Sequence, residues 1–401
     1  MFVVTAGAPV FAQDAGRDGA DREETVRNDI EKLRVSLIDK GVAFLRKSQA
    51  PEGGFSTQMG IGPTTVIGTG LLEAGVKPDD PMLDAALKYV LSSVQPNGGI
   101  YTADSRYRNY ETSLGILFVA TANKLKKGDG GKDTGGRDTD GKDTGGKGPY
   151  DAILAKAETY LRLCQYTEEN GNLEKEEYRG GVGYGPGQRA MRPDLSNVHY
   201  FLDAMRALGR GPDDPAVKNA LIFVSRCQNL ESEYNTLPYA TENPDGGFVY
   251  TIPGGDSPEG EPGRSRNEQG RGEQALRTYA SMTYAGLKSM IFAGVDQDDK
   301  RVKAAYEWAR QNYDLTRNPG MGENGLYYYY QVLAKTLDAM KVDRMEDKDG
   351  ARHDWKAELV TILAEKQQPD GSWVNSATRW MEGDANLVTG YVLMVLADCG
   401  K

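Results

Sequence analysis

Cysteine is scarce in this chain: three in 401 residues, Cys164, Cys227 and Cys399. Their number and scatter exclude a disulfide framework or a zinc knuckle. Two of them stand just before a glutamine of a recurring phrase, so they read as small apolar residues on equivalent helix faces. Basic charge is also short, with 48 Lys and Arg against 58 Asp and Glu and a formal charge of −10. Phosphate binding needs a concentrated basic surface, so nucleic acid is excluded as a partner. No later stretch approaches the ~18 apolar residues of a membrane span. The start, MFVVTAGAPVFA, is apolar up to Ala12, and Val10 and Ala12 have the small-residue spacing of a secretory cleavage site, although no Lys or Arg precedes them. The expectation is a signal-peptide remnant over 1–12, a flexible segment over 13–29, and an exported, periplasmic or extracellular protein.

What the chain has instead is repetition. The run Gln95-Pro96-Asn97-Gly98-Gly99-Ile100-Tyr101 returns as QAPEGGFS at Gln49 and QPDGSW at Gln368, with looser copies after Gln165, Gln228 and Gln311. Six copies mean a repeat protein, which runs to this length as one unit over 30–401. Each glutamine closes an amphipathic segment, as Leu83, Leu87, Val90, Leu91 and Val94 show by falling on one helical stripe. A second, more apolar helix follows each glycine turn, over 63–74, 109–123, 194–208, 274–293, 325–340 and 384–398. Connectors such as GVKPDDPML and GRGPDDPAV join one unit to the next with a helix-ending Gly and acidic residues at the following helix start. The unit is helix, glycine turn, helix, and six hairpins of this size are enough to close a ring.

Two stretches stand outside the pattern. The tract 128–149, GDGGKDTGGRDTDGKDTGGKGP, has no apolar anchor and reads as a disordered surface loop. The stretch 345–355, MEDKDGARHDW, looks like a calcium loop, but Met345 and Lys356 stand where an EF-hand needs acidic ligands. It reads as a turn before the last outer helix.

A helix ending in Gln, followed by Gly-Gly or Gly-Ser with an aromatic, resembles the repeat of squalene and oxidosqualene cyclases, shared more loosely by protein prenyltransferase β subunits. The resemblance covers roughly residues 30–400. Segments such as DLSNVHYFLDAMRALG and GLYYYYQVLAKTLDAM are similar to bacterial proteins with prenyltransferase and squalene oxidase repeats. It implies an all-α fold: an α/α toroid of about six hairpins, an inner ring of parallel helices around a cavity, and an outer ring running the other way. In such cyclases a D-x-D-D motif supplies the acid. The literal match here, Asp296-Gln297-Asp298-Asp299, falls in a connector at the end opposite the glycine turns. Nor are zinc ligands of the prenyltransferase kind in place, so no metal and no cofactor is expected.

Parallel inner helices bring their N-termini to one rim, where an anion is favoured. The long insertions 166–193 and 229–273 crowd that rim and carry arginines suited to carboxylates or phosphates, or to pairing with the glutamates of the same loops. Candidate ligand-binding residues are Tyr110, Asn197, His199, Tyr200, Arg277, Tyr279, Tyr328 and Gln331. Four consecutive tyrosines, 327–330, span most of a helical turn, so at least one must face the cavity. The acids able to serve as general acid or base are Glu111, Asp194, Glu273 and Asp384, of which Asp194 and Asp384 also look like N-caps. Three functions remain: a terpenoid cyclase or prenyltransferase-like protein binding an isoprenoid or other apolar ligand, a non-catalytic protein or glycan interaction module, and an exported polysaccharide lyase or hydrolase.

Overall fold

A computed structural model describes residues 11–129, 148–185, 192–242, 244–252 and 276–401. Thirteen α-helices account for most of these residues: α1 (Phe11–Ser48), α2 (Gly62–Glu73), α3 (Pro81–Leu91), α4 (Arg108–Asp129), α5 (Asp151–Cys164), α6 (Leu195–Ala207), α7 (Pro215–Arg226), the one-turn α8 (Tyr239–Glu242), α9 (Ala280–Phe292), α10 (Lys300–Gln311), α11 (Leu326–Ala339), α12 (Trp355–Lys366) and α13 (Ala385–Cys399). Among the described residues the fold is all-α apart from a two-stranded hairpin, β1 (Met345–Glu346) with β2 (Arg352–His353). That hairpin lies where the sequence reads as a plain turn. The segment 13–29, expected to be flexible, lies within α1. From the end of that segment onward, charged residues three apart support the helix: Asp29 with Lys32 and Glu31 with Arg34. Of the leader expectation, residues 1–10 lie outside the described residues, as does most of the 128–149 tract.

The even-handed apolarity of α2, α9 and α13 fits burial on all sides, and nearly every residue of α9 and α13 is buried. These helices belong to a closed circuit. α2 packs on α4, α4 on α6, α6 on α9, α9 on α11, α11 on α13, and α13 back on α2. The amphipathic helices α3, α5 and α10 lie against α2, α4 and α9, and α7 lies against both α6 and α9, while α1 and α12 pack on each other and on α13.

The repeated glutamine explains how one unit finds the next. The Gln49 amide donates to Gly53 O of its own turn (2.8 Å) and to Met82 O at the start of α3 (2.8 Å). Gln165 does the same to Gly180 O (3.1 Å) and Ala216 O in α7 (2.9 Å), and Gln228 to Gly246 O (3.0 Å) and Arg301 O in α10 (2.8 Å). In the last copy the clamp is Gln367, not Gln368, and it reaches Gly371 O (3.1 Å) and Leu37 O in α1 (3.3 Å). That clamp joins the end of the chain to its beginning. The turn glycine is required for the same reason: Gly371 has φ +95°, and a Cβ on it would sit 2.5 Å from Lys40 O in α1.

A second recurring device went unread in the sequence. The backbone N–H just after the glycine turn donates to a threonine hydroxyl on the following circuit helix: Phe55 to Thr64 (2.9 Å), Ile100 to Thr112 (3.1 Å), Phe248 to Thr283 (3.0 Å) and Trp373 to Thr389 (3.2 Å). Two copies lack the glutamine clamp: the Gln95 amide donates within its own turn, to Ser93 O (3.1 Å) and Tyr101 O (2.8 Å), and the Gln311 amide, in a copy that also lacks the threonine contact, bonds among the described residues to Glu307.

Candidate functional site

The first turns of all six circuit helices line one cavity of about 360 Å³, so six helix N-termini gather at one end of the ring. Its wall is tyrosine-rich: Tyr107, Tyr110, Tyr184, Tyr250, Tyr279, Tyr328 and Tyr391. The rings touch in series. Tyr107 meets Tyr184 edge-on (5.2 Å between centroids), Tyr184 lies 6.2 Å from Tyr110, and Tyr110 meets Tyr200 edge-on at 5.0 Å. Tyr200 then lies 6.3 Å from Tyr328, and Tyr328 6.1 Å from Tyr391. Such pairs fix ring orientation and present quadrupole faces and edges. Met59, Met282 and Met381 with Leu114, Leu387 and Trp380 supply the remaining apolar surface.

Two carboxyls stand in this wall. Glu111 accepts a bond from Thr102 N (3.1 Å), and burial raises its pKa against the pull of that and neighbouring donors. Glu382 is 1% exposed. It accepts from Tyr328 N at the start of α11 (2.8 Å) and from Asn375 Nδ2 (2.6 Å). Burial still dominates these bonds and pushes its pKa up to about 7.

The residues singled out from sequence separate into groups. Tyr110, Glu111, Tyr279 and Tyr328 line the cavity, and Tyr200 packs directly behind Tyr110. Of the four tyrosines, only Tyr328 faces inward, whereas Tyr327, Tyr329 and Tyr330 are buried in packing. Asn197 is not on the wall: it is fully buried and bonds to Asp194 (2.8 Å). Asp194 caps α6 through Asn197 N (2.9 Å), and burial raises its pKa to about 7. Asp384 caps α13 through Leu387 N and also accepts from Ser56 Oγ (2.7 Å). Gln331 and His199 are buried away from the wall. Arg277 is not among the wall residues, although its charge acts on Tyr279, and Glu273 lies outside the described residues.

His199 belongs to a different environment, the buried charges beneath the tyrosines. Its Nδ1 lies 3.6 Å from Asp203, which pairs with the fully buried Lys288 at 2.7 Å. Burial, aided by the Lys288 charge, lowers the His199 pKa to about 3, so the ring is neutral. On the far side Lys335 binds both oxygens of Glu73 at 2.6 Å. Asp298 and Asp299 of the D-x-D-D match are remote from the cavity: Asp299 caps α10 and pairs with Arg301 (2.7 Å), and Asp298 pairs with Lys303 (2.8 Å). Arg179 of the first insertion pairs with Glu176 and Glu168.

Sequence reasoning missed Glu382, Trp380 and Met381. The signal was present as an unexpected Trp-Met-Glu inside the otherwise polar loop between the last glycine turn and α13. Trp380 (φ 56°) and Met381 (φ 66°) are consecutive non-glycine residues in the left-handed region. Each such residue costs on the order of 1–3 kcal/mol, which the surrounding contacts must offset.

No protein-family model and no curated protein matches this chain. Among solved structures it is similar to the type II terpene cyclase MstE from Scytonema. A substitution variant in complex with geranylgeranyl dihydroxybenzoate is 13% identical, with 93% of this chain and 99% of that chain covered and a TM-score of 0.31. For the apo enzyme the identity is 13%, the coverage 92% and 99%, and the TM-score 0.30. A protein from Actinoplanes is 12% identical over 92% of this chain and 100% of that one, with a TM-score of 0.39.

Proposed function

We propose that this chain is an α/α toroid of six hairpins whose central cavity binds an isoprenoid or another apolar ligand. The observation that carries the reading is the wall itself: seven tyrosines with Met and Leu side chains around about 360 Å³ at the gathered helix starts. That volume lies within the range of small-molecule pockets, which are mostly apolar with a few placed polar groups. Here those groups are the carboxyls of Glu111 and Glu382. A carboxyl held near neutrality donates a hydrogen bond to a ligand's polar end, and among the wall groups Glu382 is the one suited to giving up a proton at neutral pH. Aromatic faces also favour a cationic centre formed within an apolar skeleton.

The test is native mass spectrometry with solvent extraction of protein purified from its source organism. A copurifying isoprenoid supports the proposal, and incubation of wild type and Glu382→Gln with squalene and prenyl diphosphates then separates binding from turnover. A retained peptide, glycan or partner chain in place of a lipid overturns it in favour of an interaction module. Oligosaccharide cleavage lost on Glu111→Gln or Glu382→Gln overturns it in favour of a carbohydrate-active enzyme, which also needs two carboxyls. Export belongs to the same proposal, and N-terminal sequencing of the mature protein checks it.

A further inference from the structure

We infer that Trp380 and Met381 form the adjustable wall of the cavity, touching the ligand's chain and setting the length that it accepts. This rests on the apolar-ligand reading above. Both residues line the cavity, yet they remain 44% and 43% exposed, among the few large hydrophobic side chains so placed. Side chains with cavity on one side and solvent on the other gain burial when an apolar chain fills the space between. The wall is poorly satisfied until then.

The backbone supports the same assignment. Residues 375–382 form a strap whose base is fixed and whose tip is strained. At the base, Asn375 N donates to Glu382 O (2.9 Å), Asn375 Nδ2 reaches Glu323 O (2.8 Å) and Glu382 Oε2 (2.6 Å), and Glu382 Oε1 holds Tyr328 N. At the tip, the two left-handed residues turn both side chains toward the mouth. Strained non-glycine backbone persists only where its surroundings impose it, and it gathers at ligand clamps. The Trp380 indole rests on Gly325, where a Cβ would come within 2.8 Å of its ring, and the Arg379 guanidinium lies 4.7 Å from the ring centroid.

The other tryptophans give the contrast. Trp308, Trp355 and Trp373 are buried, and each indole nitrogen donates a hydrogen bond, to Asp245, Val342 O and Leu363 O respectively. Trp380 has no such bond among the described residues; its indole is met by Gly325 and the Arg379 guanidinium.

The experiment uses the full chain with geranylgeraniol as probe, bound probe being counted by native mass spectrometry and Trp exposure read by acrylamide quenching. In wild type the quenchable emission belongs to Trp380, so it is absent in Trp380→Phe without probe and is lost from wild type when probe binds. Trp380→Ala and Met381→Ala should shift preference from geranylgeraniol toward the longer squalene, with melting curves close to wild type because neither residue is in the core. If probe is counted on wild type while quenching and chain-length preference stay unchanged in all three variants, the assignment of these residues is overturned. If no probe binds wild type, the apolar-ligand reading itself falls.

Discussion

Glu382 shows what a single carboxyl does when a wall of rings surrounds it. Its folded pKa of about 7 stands above the ordinary 4.5, so the folded protein holds a proton that the unfolded chain releases. The associated stability is fully present below about pH 4.5 and is lost as pH rises through 7, a change on the order of 3 kcal/mol. Asp194, raised to about 7 by burial, acts in the same direction. His199, neutral in the fold but protonated in the unfolded chain below about pH 6.5, opposes this trend over the lower part of the range. The expected outcome is therefore comparative: between pH 5 and 8 the denaturant midpoint of Glu382→Gln should lose less with rising pH than that of wild type. An unchanged slope in the variant would place the titration elsewhere. Carboxylates lowered by ion pairs, such as Asp214 beside Arg162, act oppositely and at lower pH, outside this window. Lys288 and Asp203 make the second residue-scale case. Breaking a buried pair strands a charge, so Lys288→Met should cost about 3–5 kcal/mol in chemical denaturation. Adding Asp203→Asn should return most of that loss, because the stranded carboxylate is then gone.

Among the elements, the glutamine repeat was legible as a period before its purpose was. Helix stripes and the turn glycines set α2, α6, α11 and α13 within a residue or two of their observed limits, whereas α9 begins at Ala280 and not at 274, and α4 runs on to Asp129 past the expected 123. The partner of the glutamine amide could not be read, because it is a backbone carbonyl on the next unit and leaves no side-chain signature. The threonine contact was hidden for a related reason: one hydroxyl at an unremarkable helix position acquires meaning only against the preceding turn. Cavity residues divided similarly. Tyr110, Glu111, Tyr279 and Tyr328 follow from proximity to inner-helix starts. Tyr184, Tyr250, Trp380 and Glu382 come from the turns and loops, where no period fixes direction. The clamp makes its own prediction. Gln228→Ala leaves Gly246 O and Arg301 O without their shared donor, which should cost about 1–3 kcal/mol. Gln311→Ala, in a copy without a clamp, should stay within about 0.5 kcal/mol of wild type. Equal losses at the two positions would mean that the amide bonds are incidental to repeat packing.

At the scale of the molecule, closure changes what a terminal element is worth. In an open repeat array each unit contacts only its neighbours, and removing an end subtracts one unit while the rest stands. Here the seam joins first and last units at several points: α13 packs on α2 and α1, α1 packs on α12, Gln367 reaches Leu37 O, and Gly371 presses on Lys40 O. Leu37, Ile38 and Leu45 of α1 are buried in that seam, and Trp373 lies against Gly41. Deleting the chain up to Ser48 would expose the α12–α13 face and unpair the final glycine turn at once. The expected outcome is loss of protection throughout α2, α11 and α13 in hydrogen exchange, together with loss of a single cooperative denaturation transition, rather than fraying at one end. Protection retained in α11 and α13 after the deletion would mean that the units are energetically independent and that closure contributes shape without stability. The cavity offers a second readout of the same truncation: its wall takes Val66 and Pro63 from α2 and Leu387 and Tyr391 from α13, on opposite sides of the α2–α13 contact. A truncated chain that still folds but no longer takes up an apolar probe would place the role of closure in holding those two faces together.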